Sequence, residues 1–171
     1  MAMLSLRPRL GRGGRDHGAE AVEFALLMLP LLILLIGIIN YGLWYSDSLS
    51  LREGVRESAR EAVVETLAPG CGVTFTLAAV ACGTRAQIGA PGRSYAKVVL
   101  GPTGWVQGQE VVVCGMVKAI NFTGFVPLPA GGFIESETAM SIESVAALPT
   151  DAPSYADTLP TGVSWAWCTN P

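Results

Sequence analysis

The 171-residue sequence holds a single histidine, His17, and no cysteine before Cys71. Everything after residue 17 therefore lacks the imidazole that a Ser-His-Asp or Cys-His nucleophile needs. The four cysteines form no CxxC pair and have no histidine near them, so a structural zinc site is a weak alternative,. The GRGGR of residues 11–15 lacks the lysine and the strand–helix setting of a phosphate-binding loop,. Paired carboxylates such as Glu135 and Glu137 fall on one face of an expected strand and read as solvated surface. No cofactor is implied and no internal repeat is present. Charged residues make up only 15% of the chain, and that scarcity has one main source.

From Phe24 to Tyr45 the chain runs FALLMLPLLILLIGIINYGLWY, with no formal charge and Asn40 as its one strongly polar side chain. A helix rising ~1.5 Å per residue spans the ~30 Å hydrocarbon core of a bilayer over such a run. Residues 24–45 are thus expected to be a transmembrane segment, with Tyr41, Trp44 and Tyr45 as an aromatic belt at its outer interface. Pro30 and Gly37 interrupt the pattern locally, which a membrane helix tolerates.

Charge is distributed unevenly about this run. Residues 1–17 carry Arg7, Arg9, Arg12 and Arg15 against Asp16, whereas the remainder is acidic. By the positive-inside rule the N-terminus is cytoplasmic and the C-terminal domain extracytoplasmic, giving a single-pass protein of the cell membrane in contact with lipid. An acidic outer domain offers no footprint for nucleic acid. All four cysteines, Cys71, Cys82, Cys114 and Cys168, lie in that outer part, where disulfides form,. Three pairings are possible; the local closure Cys71–Cys82 would leave Cys114 for Cys168.

Beyond the belt, Arg52, Arg56 and Arg60 recur at i+4, as do Glu53, Glu57, Glu61 and Glu65, while Leu51, Val55, Ala59, Ala62 and Val63 line another face. The pattern predicts an amphipathic helix that offers its apolar stripe to a domain and its charged rows to water. The whole helix is expected over residues 19–67 and to end at Pro69-Gly70. VTFTLAAVA (73–81) is readable as a strand or a short helix. Residues 94–100, 109–120 and 133–146 read as strands, the last with Thr138, Met140 and Ile142 on one face. A loop covers 121–132; its Asn121-Phe122-Thr123 sequon is too short a motif to carry weight. The expected fold class is α+β: a long N-terminal helix, membrane-embedded in its first half, packing its second half on a small antiparallel sheet. The expected division is a basic leader at 1–18, the helix at 19–67, a β-rich domain at 68–148 and an irregular Pro-rich tail at 149–171, anchored by Trp165 and Trp167.

The informative charge is Glu23, at the lip of the apolar run. A carboxylate there is costly unless it reaches water or finds a partner. If the chain were cut after Gly18, the new amine on Ala19 could neutralise the Glu23 of a neighbouring helix.

Gly18 followed by AEAVEF and a long apolar run resembles the type IV prepilin cleavage site, in which cutting follows a glycine and a glutamate holds the fifth mature position. Glu23 is fifth when Ala19 is first. Glu23-Phe24, the proline in the span and the Arg/Ala-rich helix that follows are similar to the TadE-like pseudopilins of tight-adherence (Tad/Flp) pilus systems, over about residues 14–65. The resemblance implies a minor, pilin-like structural subunit and not an enzyme. Its cleavage site would be Gly18-Ala19, cut by a prepilin peptidase, with Glu23 and Phe24 serving processing and assembly. Its partners would be that peptidase, other pilins or pseudopilins and the pilus assembly platform, and its destination the assembled pilus. Two other readings remain at this point: a permanently anchored extracytoplasmic binding domain, and a minor pseudopilin of a type II secretion system.

Overall fold

The computed structural model describes residues 16–121, 124, 127–147, 149 and 153–169. Contacts divide the chain into two compact units, one ending at Ile39 and one beginning at Asn40. The described part of the first unit is wholly helical. It belongs to α1 (Asp16–Val63), which continues into the second unit. Leucine, the commonest residue of the segment, favours the helix,. Pro30 removes one backbone donor without ending it,. The basic leader lies outside the described residues, apart from the backbone from Asp16 onward.

The second unit is an α+β domain, as expected. Four strands, β1 (Ser94–Leu100), β2 (Glu110–Lys118), β3 (Phe133–Ser141) and β4 (Ser154–Ala156), form an antiparallel sheet in the order β3-β2-β1-β4. Val98 and Thr138 flank Val113 across the ladder, and Lys97 and Glu137 flank Cys114. One face of the sheet receives α1 and a second helix, α2 (Leu77–Ile88). The predicted stripe of Leu51, Val55, Ala59, Ala62 and Val63 is buried there, beside Val98, Val111, Val113 and Val117. The approach is close enough to require a glycine in mid-strand. A Cβ on Gly115 would lie 2.5 Å from Val55 Cγ2 and 2.9 Å from Leu51 Cδ1. The opposite face is covered by the C-terminal tail, where Val99, Val112, Cys114 and Cys168 cluster with Trp165 and Trp167. Covered on both sides, β2 is buried at every position from Val111 to Val117.

Several boundaries differ from expectation, each for an identifiable reason. The helix ends at Val63, not near Leu67, because Glu65 takes a left-handed conformation with φ +57°. The Thr66 N–H then closes on the Glu61 carbonyl at 2.8 Å. Of the two readings of residues 73–81, the short helix holds and the strand does not. Thr76 caps α2 through its hydroxyl, which accepts from the Ala79 N–H at 3.0 Å, and the helix runs on to a left-handed Gly89,. The strand expected over 133–146 stops at Ser141, since Glu143 and Ser144 turn away to donate their N–H groups to the Val63 carbonyl at 3.2 and 3.0 Å. The tail is not wholly irregular. Ser154–Ala156 pairs with β1, and the Leu100 N–H donates to the Pro153 carbonyl at 3.0 Å. Within the aromatic belt, Tyr41 and Tyr45 are exposed, but Trp44 packs against the domain core and Asn40 is fully buried. The last turn and a half of the apolar run thus belongs to the domain.

Candidate processing and assembly segment

Gly18, Ala19, Glu23 and Phe24 all lie in the first turns of α1 and are exposed. Ala19 and Glu23 are four residues apart and share a helix face. Phe24 is 65% exposed, and a Cβ on Gly18 would meet nothing within 4 Å. From Val22 to Ile39 the large apolar side chains are exposed, apart from the half-buried Ile36. The most apolar 18-residue window has mean hydropathy 2.8 and none of it is buried, so this helix is a candidate membrane span by length and composition,.

The second unit holds its cysteines in two disulfides, Cys71–Cys82 and Cys114–Cys168. The first ties the loop after α1 to α2; the second ties the tail to the middle of β2. Lys97 Nζ also donates to the Cys168 carbonyl at 3.3 Å.

Polar contacts that the sequence did not reveal lock the parts of the domain together. The Glu65 carboxylate accepts from Trp105 Nε1 at 3.1 Å, Ser144 Oγ at 3.0 Å and the Ala147 N–H at 2.8 Å. Two distant segments, at Trp105 and at residues 144–147, are thereby fixed to the end of α1. Asp157 pairs with Arg85 of α2 and accepts the Ala96 N–H at 2.8 Å, while its backbone carbonyl accepts Trp165 Nε1 at 3.1 Å. The hydrogen bond to Asp157 raises the Arg85 pKa above its ordinary value, against the opposing effect of burial,. Arg93 donates to Asp47 at 3.1 Å and to the Lys118 carbonyl at 2.7 Å, joining α1 to the sheet's end.

Among the described residues no group of three or more histidine, cysteine, aspartate or glutamate side chains could hold a metal ion. An open groove of about 560 Å³ lies between the turn at Pro129–Gly132 and the tail. Phe133, Val163, Ser164 and Trp167 line it, with Glu135 as its one titratable group. A lone carboxylate has no second group with which to share acid and base roles.

These features define a class of protein: an N-terminal apolar helix, a candidate membrane span, leading into a disulfide-linked α+β domain. Residues 18–60 match the family model of the TadE-like proteins, which bears out the resemblance carried by Gly18, Glu23-Phe24 and the following helix. A TadE-like match over these residues implies involvement in the Tad pilus and suggests contact with other pilus components. No curated protein and no solved structure matches the chain.

Proposed function

We propose that this chain is a minor pseudopilin of a Tad/Flp pilus, a structural subunit and not an enzyme, cut by a prepilin peptidase between Gly18 and Ala19. The supporting observation is the TadE-like match, which begins at Gly18 and runs along the exposed apolar helix into the domain. In this reading the arginines before residue 18 stay in the cytoplasm until cleavage. Residues 24–39 hold the subunit in the bilayer, and the disulfide-linked domain stands outside. Cutting exposes an ammonium on Ala19 that meets the Glu23 carboxylate of a neighbouring helix. Pairing them removes two charges from lipid and sets the axial register. The partners are other pilins or pseudopilins and the platform that extracts them.

Intact mass of the protein from its native membrane tests this, beside a Glu23→Ala variant and a strain lacking the peptidase. A mature chain that starts at Ala19, and that disappears without the peptidase, is the expected result. A leader still attached in cells that are making pili overturns the reading and favours a permanent anchor.

A further inference from the structure

On its outward side, within the second unit, α1 carries two rows of like charge. Arg52, Arg56 and Arg60 form one, and Glu53, Glu57 and Glu61 the other; all are exposed except the half-buried Glu61. The arrangement is poor for pairing within the helix. Like charges occupy every i, i+4 position, and opposite charges reach a stabilising spacing only at i, i+3, as Glu53–Arg56 and Glu57–Arg60,. One intrahelical pair results, Arg60–Glu57 at 3.7 Å, with both side chains largely in solvent. Glu61 accepts from Gln87 Nε2. Among the described residues, Arg52, Arg56 and Glu53 have no ion-pair partner. Three of the six charges thus stay unpaired within the described chain.

They are, however, complementary to themselves. Successive residues are ~100° apart around a helix, so the two rows flank a common strip. When two identical helices lie parallel about a two-fold axis, the left flank of each faces the right flank of the other, as in the flanking charges of a parallel coiled coil. Arg then meets Glu on both sides. An antiparallel pair would set Arg against Arg and Glu against Glu. Copies anchored through the same apolar helix enter the membrane with the same polarity, so parallel is the orientation available to them. Exposed apolar side chains mark the ends of the strip. Leu49, 43% exposed, sits one turn before Glu53, and Val64, 49% exposed, one turn after Arg60.

We propose that the outward face of α1 from Leu49 to Glu61, continued by Val64 just past the helix end, binds a second copy of this chain in parallel, each Arg52/Arg56/Arg60 row against the partner's Glu53/Glu57/Glu61 row. The inference goes beyond pilus membership: it uses the shared membrane polarity and does not depend on cleavage after Gly18.

The test uses the full-length chain in its membrane, with a photo-reactive amino acid at position 64 and two distinguishable tags. The wild-type chain should give an adduct of twice its mass. One variant carries Arg52→Glu, Arg56→Glu and Arg60→Glu, the other Glu53→Arg and Glu57→Arg. Each alone should lose the adduct by about tenfold or more, and the two expressed together should regain it as a mixed pair. Should the multiple variants unfold, Arg56→Glu and Glu57→Arg as single changes provide the same comparison. Absence of a wild-type self-adduct, adducts indifferent to the charge reversals, or failure of the mixed pair overturns the proposal. So does a charge-dependent adduct to a different protein, which would assign the face to that partner. Repeating the measurement without the peptidase separates this result from the cleavage reading, since the adduct should survive there.

Discussion

Gly54 of α1 lies so close to Ile88 at the end of α2 that a Cβ added to it would stand 2.7 Å from the Ile88 backbone nitrogen. The glycine therefore sets the distance between the two helices. It does so at a cost of about 1 kcal/mol in helix propensity relative to alanine. A few residues along the same interface, Ser58 Oγ and Thr84 Oγ1 are hydrogen-bonded at 2.6 Å, both buried.

Alanine at position 54 should thus destabilise the domain although it is the better helix former. The clash is with backbone, which cannot rotate away, and overpacking of this kind costs about 1–3 kcal/mol. Denaturant unfolding of Gly54→Ala checks this. A variant as stable as wild type would mean that α2 shifts freely along α1.

Glu65 offers a second prediction, because two opposing effects meet in one residue. Its left-handed backbone is strained for any residue with a Cβ, by about 1–2 kcal/mol,. Its carboxylate holds Trp105, Ser144 and Ala147, and hydrogen bonds to a charged group contribute about 1.5–3 kcal/mol each,. Glu65→Gly relieves the strain but abandons three donors; Trp105 keeps the Ser144 carbonyl and the half-buried Ser144 and Ala147 turn to water, which discounts the simple sum to a net loss of about 1–3 kcal/mol,. Glu65→Gln keeps one acceptor and should lose less. The indole emission of Trp105, which also donates to the Ser144 carbonyl, reports whether the neighbourhood opens.

How far this architecture could be read from residues depends on the kind of signal each element carries. The stripe Leu51–Val55–Ala59–Ala62 follows helical periodicity, so its burial was legible. For α2 the period was hidden, since LAAVACG is small or apolar on every side; Thr76 and Gly89 were its only markers. Nothing local marks Glu65, because a non-glycine residue turns left-handed only when distant groups hold it. Strand β4 is too short to show a pattern between its prolines. Gly18, Glu23 and Phe24 were legible as a spaced motif, whereas the clamps at Glu65 and Asp157 arise from tertiary contacts. The charged rows of α1 read as an ordinary solvated face until the structure showed that they hardly pair with each other.

At Arg85 and Asp157 the prediction concerns the tail. Arg85→Ala leaves a largely buried carboxylate without its cation, and about 1–3 kcal/mol should be lost,. Trp165, held through the Asp157 carbonyl, should become more accessible to a collisional quencher. For pH the sign follows from the raised Arg85 pKa. Its contribution is complete below the ordinary guanidinium value and is lost only as pH rises through the raised one. Titration from pH 7 to about 10 should therefore leave Trp165 protected in the wild-type chain. Release of the tail within that range would show that the arginine is not what holds it.

The two disulfides should differ in weight because they close loops of different length. Cys71 and Cys82 are 11 residues apart, Cys114 and Cys168 are 54 apart. Loop-closure entropy assigns about 3 kcal/mol to the first and about 4 kcal/mol to the second. The longer bridge also carries packing consequences that the shorter one lacks. Cys114 and Cys168 lie buried between Val112, Trp165 and Trp167, so Cys114→Ser with Cys168→Ser puts two hydroxyls into an apolar layer as well as freeing the tail,. That double variant should lose more stability than Cys71→Ser with Cys82→Ser, and should expose the second face of the sheet to a hydrophobic dye. Equal losses would mean that the tail contributes little beyond its covalent link, and that Asp157 and the two tryptophans hold it in place without help.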